Sequence, residues 1–306
     1  ACCRPVKKTF FHLAFFPPVF LHKHGRFLWC FLYNTVTHLF NHDMLSPFSC
    51  PTFEGTAGPI TLTDPIFISD LHLSHAEPDT LDAFLRFLQT EANAHRELLI
   101  LGDFFDYWIG DDASYTMQVV VDALRQYAQT HALFIMHGNR DFMMGERFAK
   151  EIGGTLLKDP TVAQLGDLTL LLSHGDAWCT RDHDYQAVRH RVRSVWWQWL
   201  VMRLPLKKRL SIAENARAKS LSRKSTKAAY LTDVTPDVTL EAASKAHATF
   251  VIHGHTHRPT VERMTDAVTR IVLPDWHFVG QKPQRGGFVI FDGTSPKLVN
   301  FNESQD

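Results

Sequence analysis

The sequence predicts a layered α/β fold carrying a helical insertion, and three observations support that reading. From Pro65 onward, short apolar runs alternate with helix-periodic stretches. Groups of Asp, Asn, His and Gly stand where the apolar runs stop. An 80-residue interval rich in basic residues and tryptophan separates the last two groups. The runs at 66–69, 98–101, 133–136, 168–173 and 249–253 have the length and bounding polar residues of buried strands. Between them, residues 79–93 place Leu81, Phe84, Leu85 and Leu88 at i, i+3, i+4 and i+7, and residues 115–129 do the same through Val119, Ala123 and Tyr127. That spacing lines one face of an amphipathic helix. Helices alternating with buried strands stack as layers around a sheet. Neither a Gly-x-Gly-x-x-Gly nor a Gly-x-x-x-x-Gly-Lys-Ser/Thr sequence occurs, so both common nucleotide cradles are excluded.

The chain has 306 residues, with 32 basic and 32 acidic side chains, 18 histidines and five cysteines, and it is 45% hydrophobic. Wholesale disorder and a disulfide-dense scaffold are both excluded. Zero net charge supplies no overall basic excess for phosphate backbones, so no nucleic-acid partner is expected. Histidine is the abundant feature, and imidazole both carries protons and ligates metals near neutral pH.

Residues 1–64 differ from the rest, holding ten of 23 phenylalanines and four of five cysteines but only three acidic residues. Pro17-Pro18 and the polar run His22-Lys23-His24-Gly25-Arg26 interrupt the apolar stretches before they reach the roughly 18 residues of a membrane span. Lys7 and Lys8 before a Phe-rich stretch imitate only part of a secretory signal. The expectation is a poorly ordered N-terminal extension ahead of the regular fold, upstream of the internal Met44 and arising from an over-extended gene start. Cys2, Cys3, Cys30 and Cys50 form no paired zinc or disulfide spacing, and only Cys179 follows them. Such sparse usage fits a reducing compartment and a cytoplasmic active region.

Five polar groups follow the predicted strands: Asp70-Leu71-His72, Gly102-Asp103, Gly138-Asn139-Arg140-Asp141, His174-Gly175-Asp176 and Gly254-His255-Thr256-His257. Residues at the carboxyl ends of strands converge in the crevice of an α/β sheet, so these distant segments are placed to meet. Asp, His and Asn together supply donors suited to Mn, Fe or Zn, and one Asp can bridge two ions. Any one of these residues alone reads as a helix cap or a surface histidine. Five in order, each at a strand exit, point to a dispersed metal site.

These motifs resemble the calcineurin-like metallophosphoesterases, whose pattern Asp-x-His, Gly-Asp, Gly-Asn-x-Asp, His-Gly and Gly-His-x-His is complete here over roughly residues 65–302. The resemblance implies a metallophosphoesterase β-sandwich flanked by helices, with residues 1–64 as a non-family extension. It implies one divalent ion held by Asp70, His72, Asp103 and His257, and a second by Asp103, Asn139, His174 and His255, with Asp103 bridging. Within that superfamily, four segments are similar to the UDP-2,3-diacylglucosamine pyrophosphatase family of lipid A biosynthesis: residues 68–73, 108–112, 137–142 and 253–259. That similarity implies hydrolysis of the diphosphate of UDP-2,3-diacylglucosamine to UMP and 2,3-diacylglucosamine 1-phosphate, by a water that two divalent ions, expected to be Mn2+, activate for attack on the α phosphorus. Arg140, where many superfamily members carry His, has planar donors suited to a diphosphate oxygen. By the same resemblance Asn139, Arg140 and His255 are the catalytic positions. The alternative is another metal-dependent phosphodiesterase or nucleotide phosphatase of the superfamily.

The interval between His174 and His255 is expected to form a helical cap at about residues 178–245. Residues 181–227 hold 13 lysines and arginines against Asp182, Asp184 and Glu214, a local excess of ten. Val195, Trp196, Trp197, Trp199, Leu200, Val201, Met202, Leu204 and Leu206 run beside Arg203, Lys207, Lys208 and Arg209. Such a stretch reads either as an ordinary amphipathic hairpin or as a surface for acyl chains and anionic headgroups. The resemblance implies substrate contacts from Asp182, Ser220, Lys224 and Lys227, beside Asn139, Arg140 and His255. It also implies peripheral attachment to the cytoplasmic face of the inner membrane, with an anionic membrane surface as partner and no obligate protein partner. Lys224 departs from the amide of some relatives but keeps a donor.

Overall fold

Two six-stranded mixed sheets face one another, and the alternation of buried side chains along their strands shows why. In the computed structural model the described residues are 59–224 and 232–302, with the side chains of 219–224 outside the description. The predicted N-terminal extension up to residue 58, and with it Cys2, Cys3, Cys30 and Cys50, therefore lies outside the described residues.

The first sheet contains β2 (Pro65–Ile68), β3 (Glu97–Leu101), β4 (Ala132–Met136) and β5 (Thr155–Leu157), all parallel. The hairpin of β13 (Gly287–Asp292) and β14 (Ser295–Asn300) adds antiparallel on the β2 side. The second sheet runs β1 (Ile60–Leu62), β6 (Thr161–Leu165), β7 (Leu168–Ser173), β8 (Phe250–His253), β10 (Thr269–Val272) and β9 (Thr260–Arg263), with β7, β8 and β10 parallel. A separate two-stranded ribbon pairs β11 (His277–Val279) with β12 (Lys282–Arg285).

Successive strand residues point to opposite faces. Phe67, Leu99 and Leu101 thus join Leu170, Leu172, Ile252 and Ile271 in the core between the sheets. Ile66, Ile68, Leu98 and Ile100 instead pack outward under α1 (Pro78–Gln89) and α2 (Gln118–Tyr127), against Phe84, Val120 and Leu124. The face of α2 differs from its expected phase. Val119 is exposed, and the buried stripe is Val120, Val121, Leu124 and Tyr127. A 3-10 turn over Asp111–Met117 takes the start of the expected helix, and the consecutive valines 119–121 leave its face open in the sequence until packing on the sheet selects the stripe beginning at Val120.

Three helices fill most of the interval after β7: α4 (His183–Val192), α5 (Val195–Met202) and α6 (Leu206–Lys224). A further helix, α7 (Pro236–Ala246), covers the outer face of the second sheet through Ala243, beside Leu171 and Val251. Asp182 caps α4 by accepting from the Tyr185 amide, and Ser194 caps α5. Among the described residues, no helix is long and apolar enough to cross a membrane.

The segment 108–112 secures these helices. Asp111 accepts from Trp108 Nε1 at 2.9 Å and from the amides of Gly145 and Phe148 at the start of α3 (Glu146–Glu151). Asp112 forms a bidentate pair with buried Arg209 of α6, whose Nη1 also donates to Ile109 O at 2.6 Å. Gly110 has φ 121°, and a Cβ there would sit 2.6 Å from Arg209 Nη1, so only glycine lets the guanidinium in. Asp111→Ala strands three donors. It is expected to lower the unfolding free energy by about 2 kcal/mol in urea titration, with far-UV circular dichroism retained.

Candidate metal centre

Every sequence-predicted metal ligand lies just beyond the carboxyl end of a parallel strand: Asp70 and His72 after β2, Asp103 after β3, Asn139 after β4, His174 after β7, and His255 and His257 after β8. In-register pairing brings these ends level, Leu101 opposite Met136 and Ser173 opposite His253. The two sheets are tied together here. His255 N donates to Asp70 Oδ2 at 2.8 Å, Trp276 N to Asp70 O at 3.0 Å, and His174 Nδ1 to Leu101 O at 3.0 Å. Asp70, His72, Asp103, His255 and His257 all have φ between 49° and 67°. Left-handed backbone at five non-glycine residues in one place is strain that the surrounding structure must hold, and such strain gathers at functional sites.

The donors form two groups that share Asp70: Asp70 with His72 and His257, and Asp70 with Asp103 and His174. Asp103 stands between them, Oδ2 3.9 Å from His72 Nδ1 and Oδ1 3.6 Å from His174 Nε2. Asn139 Oδ1 lies 3.1 Å from His174 Nε2 and 2.7 Å from His255 Nδ1. Asp70 Oδ1 and His72 Nδ1 are buried without a hydrogen-bond partner. Two orphaned donor atoms, facing one another's groups in a cluster of carboxylates and imidazoles, fit a bound divalent cation.

Burial works to raise the Asp70 carboxyl, yet His257, His174 and His72 hold it well below its usual range. Asp103 is raised by burial, against the pull of His174 and Arg140. Burial and His174 push His255 down to about 3, and burial and Arg140 depress His72, so both imidazoles are neutral and ready to ligate. Burial opposes protonation of His174 and His257, but neighbouring carboxylates win, raising His174 to about 9. The raised His174 imidazole offsets part of the buried carboxylate charge, and a divalent cation bound among these carboxylates would take over that role.

Several supporting residues were missed in the sequence reading. Asp275, after β10, faces His257 Nδ1 at 3.1 Å and orients the ring toward Asp70. Asp141 accepts from the amides of Phe104, Phe105 and Gly138, which folds the Asp103 and Asn139 loops together; burial and Asp103 push it up to about 7. Asp176 accepts from Tyr185 Oη and Arg189 Nε of α4. Asp141 and Asp176 were visible inside the quoted motifs, whereas nothing in the sequence marked Asp275. His253, also inside a motif, is fully engaged by Arg270 Nε and Gly254 O and lies outside the ligand set.

Arg140 borders the cluster. Its amide donates to Asp103 Oδ1 at 2.9 Å, and its guanidinium reaches Asp103 Oδ2 at 3.4 Å and Asp106 Oδ1 at 2.6 Å. Ser220 and Lys224 fall in the last turns of α6 and Lys227 beyond it, so these three side chains lie outside the described residues. Cys179 is buried with its thiol pushed up to about 12 by burial and nearby carboxylates, which makes it a core residue and no nucleophile.

A two-sheet core carrying Asp, His and Asn donors at its strand ends is the architecture of a metal-dependent phosphoesterase. The calcineurin-like phosphoesterase family model matches residues 66–259, and the chain belongs to that family. Among curated relatives, a UDP-2,3-diacylglucosamine hydrolase from Tolumonas auensis is 45% identical over 217 residues, covering 69% of this chain and 88% of that protein. The protein of the same name from Chromohalobacter salexigens is 42% identical, covering 77% of this chain and 96% of its own length. That from Azotobacter vinelandii is 43% identical, covering 77% and 98%.

Gly254 tests the geometry. A Cβ there would lie 2.2 Å from Asp70 Oδ2 and 2.3 Å from Ser69 Oγ. Gly254→Ala is expected to weaken divalent-cation binding by about 10- to 100-fold in calorimetric titration, with the fold retained by circular dichroism.

Proposed function

We propose that this chain hydrolyses the diphosphate bond of UDP-2,3-diacylglucosamine, with water attacking the α phosphorus to release UMP and 2,3-diacylglucosamine 1-phosphate, as a step of lipid A biosynthesis. The observation that carries the reading is the 42–43% identity to UDP-2,3-diacylglucosamine hydrolases across 96–98% of their length. The site itself supports phosphoester chemistry.

Asp70, His72, Asp103 and His257 would hold one cation, and Asp103, Asn139, His174 and His255 the other, with manganese as the metal. When bound, such a pair lowers the pKa of water and neutralises phosphoryl oxygens. The chain supplies the positioning. Asp275 fixes the His257 ring, and Leu101 O fixes His174 so that Nε2 faces the cluster. Arg140 places a permanently charged, planar donor set beside the cluster, where charge on a diphosphate oxygen increases during attack. Asn139 and His255 complete the catalytic positions.

We take α4 to α6 as the core of a cap on the 65–302 phosphoesterase domain. Its outer surface carries exposed bulky apolar side chains among cations: Trp196 is 69% exposed and Val195 57%, with Leu200 and Trp199 also exposed and Arg203 stacked 3.1 Å over the Trp199 ring. This pairing of bulky apolar side chains with cations supports a surface for acyl chains and an anionic inner-membrane leaflet, hence peripheral attachment on the cytoplasmic side. Substrate contacts from Asp182, Ser220, Lys224 and Lys227 belong to the same proposal.

Purified protein is expected to release UMP from the diacylated nucleotide sugar with Mn2+, to lose that activity after chelation and to regain it on adding Mn2+. Asp103→Ala and His174→Ala are expected to abolish turnover. Turnover of a simple phosphodiester in preference to the nucleotide sugar would favour the broader phosphodiesterase reading.

A further inference from the structure

Asp106 lies three residues beyond Asp103 on the loop leaving β3, its amide held by Leu73 O at 3.1 Å. A single oxygen, Oδ1, accepts from two guanidiniums: Arg140 Nη1 at 2.6 Å and Arg217 Nε of α6 at 2.8 Å. All three side chains are largely shielded, the carboxylate 20% exposed and the arginines 14% and 26%. Arg140 borders the metal centre directly, its Nε 3.4 Å from Asp103 Oδ2 and its amide bonded to Asp103 Oδ1, and Arg217 reaches the same loop through Asp106. The chain Arg140–Asp106–Arg217 therefore joins the cluster loop to the helix above it.

The arrangement solves a problem that Arg140 creates. Its nearest other carboxylate is Asp103, a proposed ligand, and Arg140 Nε is already 3.4 Å from Asp103 Oδ2. A guanidinium settling fully on Asp103 would compete with a cation for that oxygen and turn its donors away from the phosphoryl group. Asp106 offers a shorter and stronger charge-assisted bond in another direction, which holds the fork across the site instead of on the ligand. Sharing the same oxygen with Arg217 ties the carboxylate to α6 as well.

Resting on the function proposed above, we infer that Asp106 is the positioning residue for Arg140, and that Arg217 is the α6 anchor that locks Asp106 in place. Asp106 acts through Arg140 and touches no reacting atom. Its loss changes the rate of the chemical step more than substrate affinity, because a misplaced charge chiefly costs transition-state stabilisation.

The test is a double-mutant cycle on the full chain with Mn2+ and the diacylated nucleotide sugar, reading kcat and KM separately and metal content by elemental mass spectrometry. Asp106→Ala and the milder Asp106→Asn are expected to lower kcat by about 10- to 100-fold at unchanged metal content, with KM within about threefold. Added to Arg140→Ala, either change is expected to lower kcat by less than about twofold more, because its effect passes through the missing side chain. Arg217→Ala is expected to give a smaller kcat loss that vanishes in the Asp106→Ala background. Multiplicative losses in the double variant, loss of metal in both Asp106 variants, or an unchanged kcat would each overturn the inference. If the wild-type chain leaves the nucleotide sugar intact, the proposed substrate is wrong. The same cycle read with bis(p-nitrophenyl) phosphate then decides the Asp106 inference alone, and absence of turnover on both substrates overturns both.

Discussion

Three carboxylates buried at the junction of two sheets are the constraint on which the rest of this structure depends. Asp70, Asp103 and Asp141 are each at most 1% exposed, and burying unpaired charge is among the costliest things a fold can do. Each one is answered differently. Asp141 draws three backbone amides and shifts toward its neutral form. Asp70 gathers a hydroxyl, an amide and three imidazoles. Asp103 takes an amide, an arginine and His174. The close approach this requires leaves no room for a Cβ at Gly138, where it would lie 2.2 Å from Asp103 Oδ1. The left-handed residues, the glycines and the histidines are thus one solution to one electrostatic problem. Asp70 Oδ1 and His72 Nδ1, buried beside His257 and Asp103 without a hydrogen bond, mark where that solution suits a cation.

The same logic holds α4 to α6 in place. Arg189 and Arg193 reach Asp176, Arg193 also donates to Gly138 O, Arg209 grips Asp112, and Arg217 meets Asp106. Each arginine bonds a residue on or near a strand-end loop. The helices are therefore seated on the metal loops by polar contacts as well as by Trp197 and Val201 packing on the core. Partly shielded pairs of this kind fix geometry more reliably than they add stability, since desolvation offsets much of the attraction. Helices held this way take their orientation from the loops that carry the candidate ligands.

The sandwich core and the donor set were legible because each has a local sequence signature. Five strands appeared as short apolar runs, and Asp70, His72, Asp103, Asn139, His174, His255 and His257 appeared as polar groups at their exits. The edge strands were not legible. β9 is largely exposed and β12 reads Lys-Pro-Gln-Arg, so neither carries an apolar pattern, and pairing with a neighbour alone defines them. Asp275 and Asp106 were hidden for a related reason. Their importance comes from a histidine and two arginines that only the fold brings near. Segment 108–112 was recognisable as a motif, but its work as a docking point for α3 and α6 depends on Gly145, Phe148 and Arg209, far away in sequence.

The excess of ten positive charges over residues 181–227 takes on a different meaning once those contacts are known. Arg189, Arg193, Arg209 and Arg217 face inward onto carboxylates, while Val195, Trp196, Trp199 and Leu200 face outward. The inward arginines of α4 to α6 thus pair with strand-end loops, while the outer surface combines these apolar side chains with exposed Arg191, Arg203, Lys207 and Lys208. Bulky apolar side chains set among cations match the surface for acyl chains and anionic headgroups proposed above for these helices.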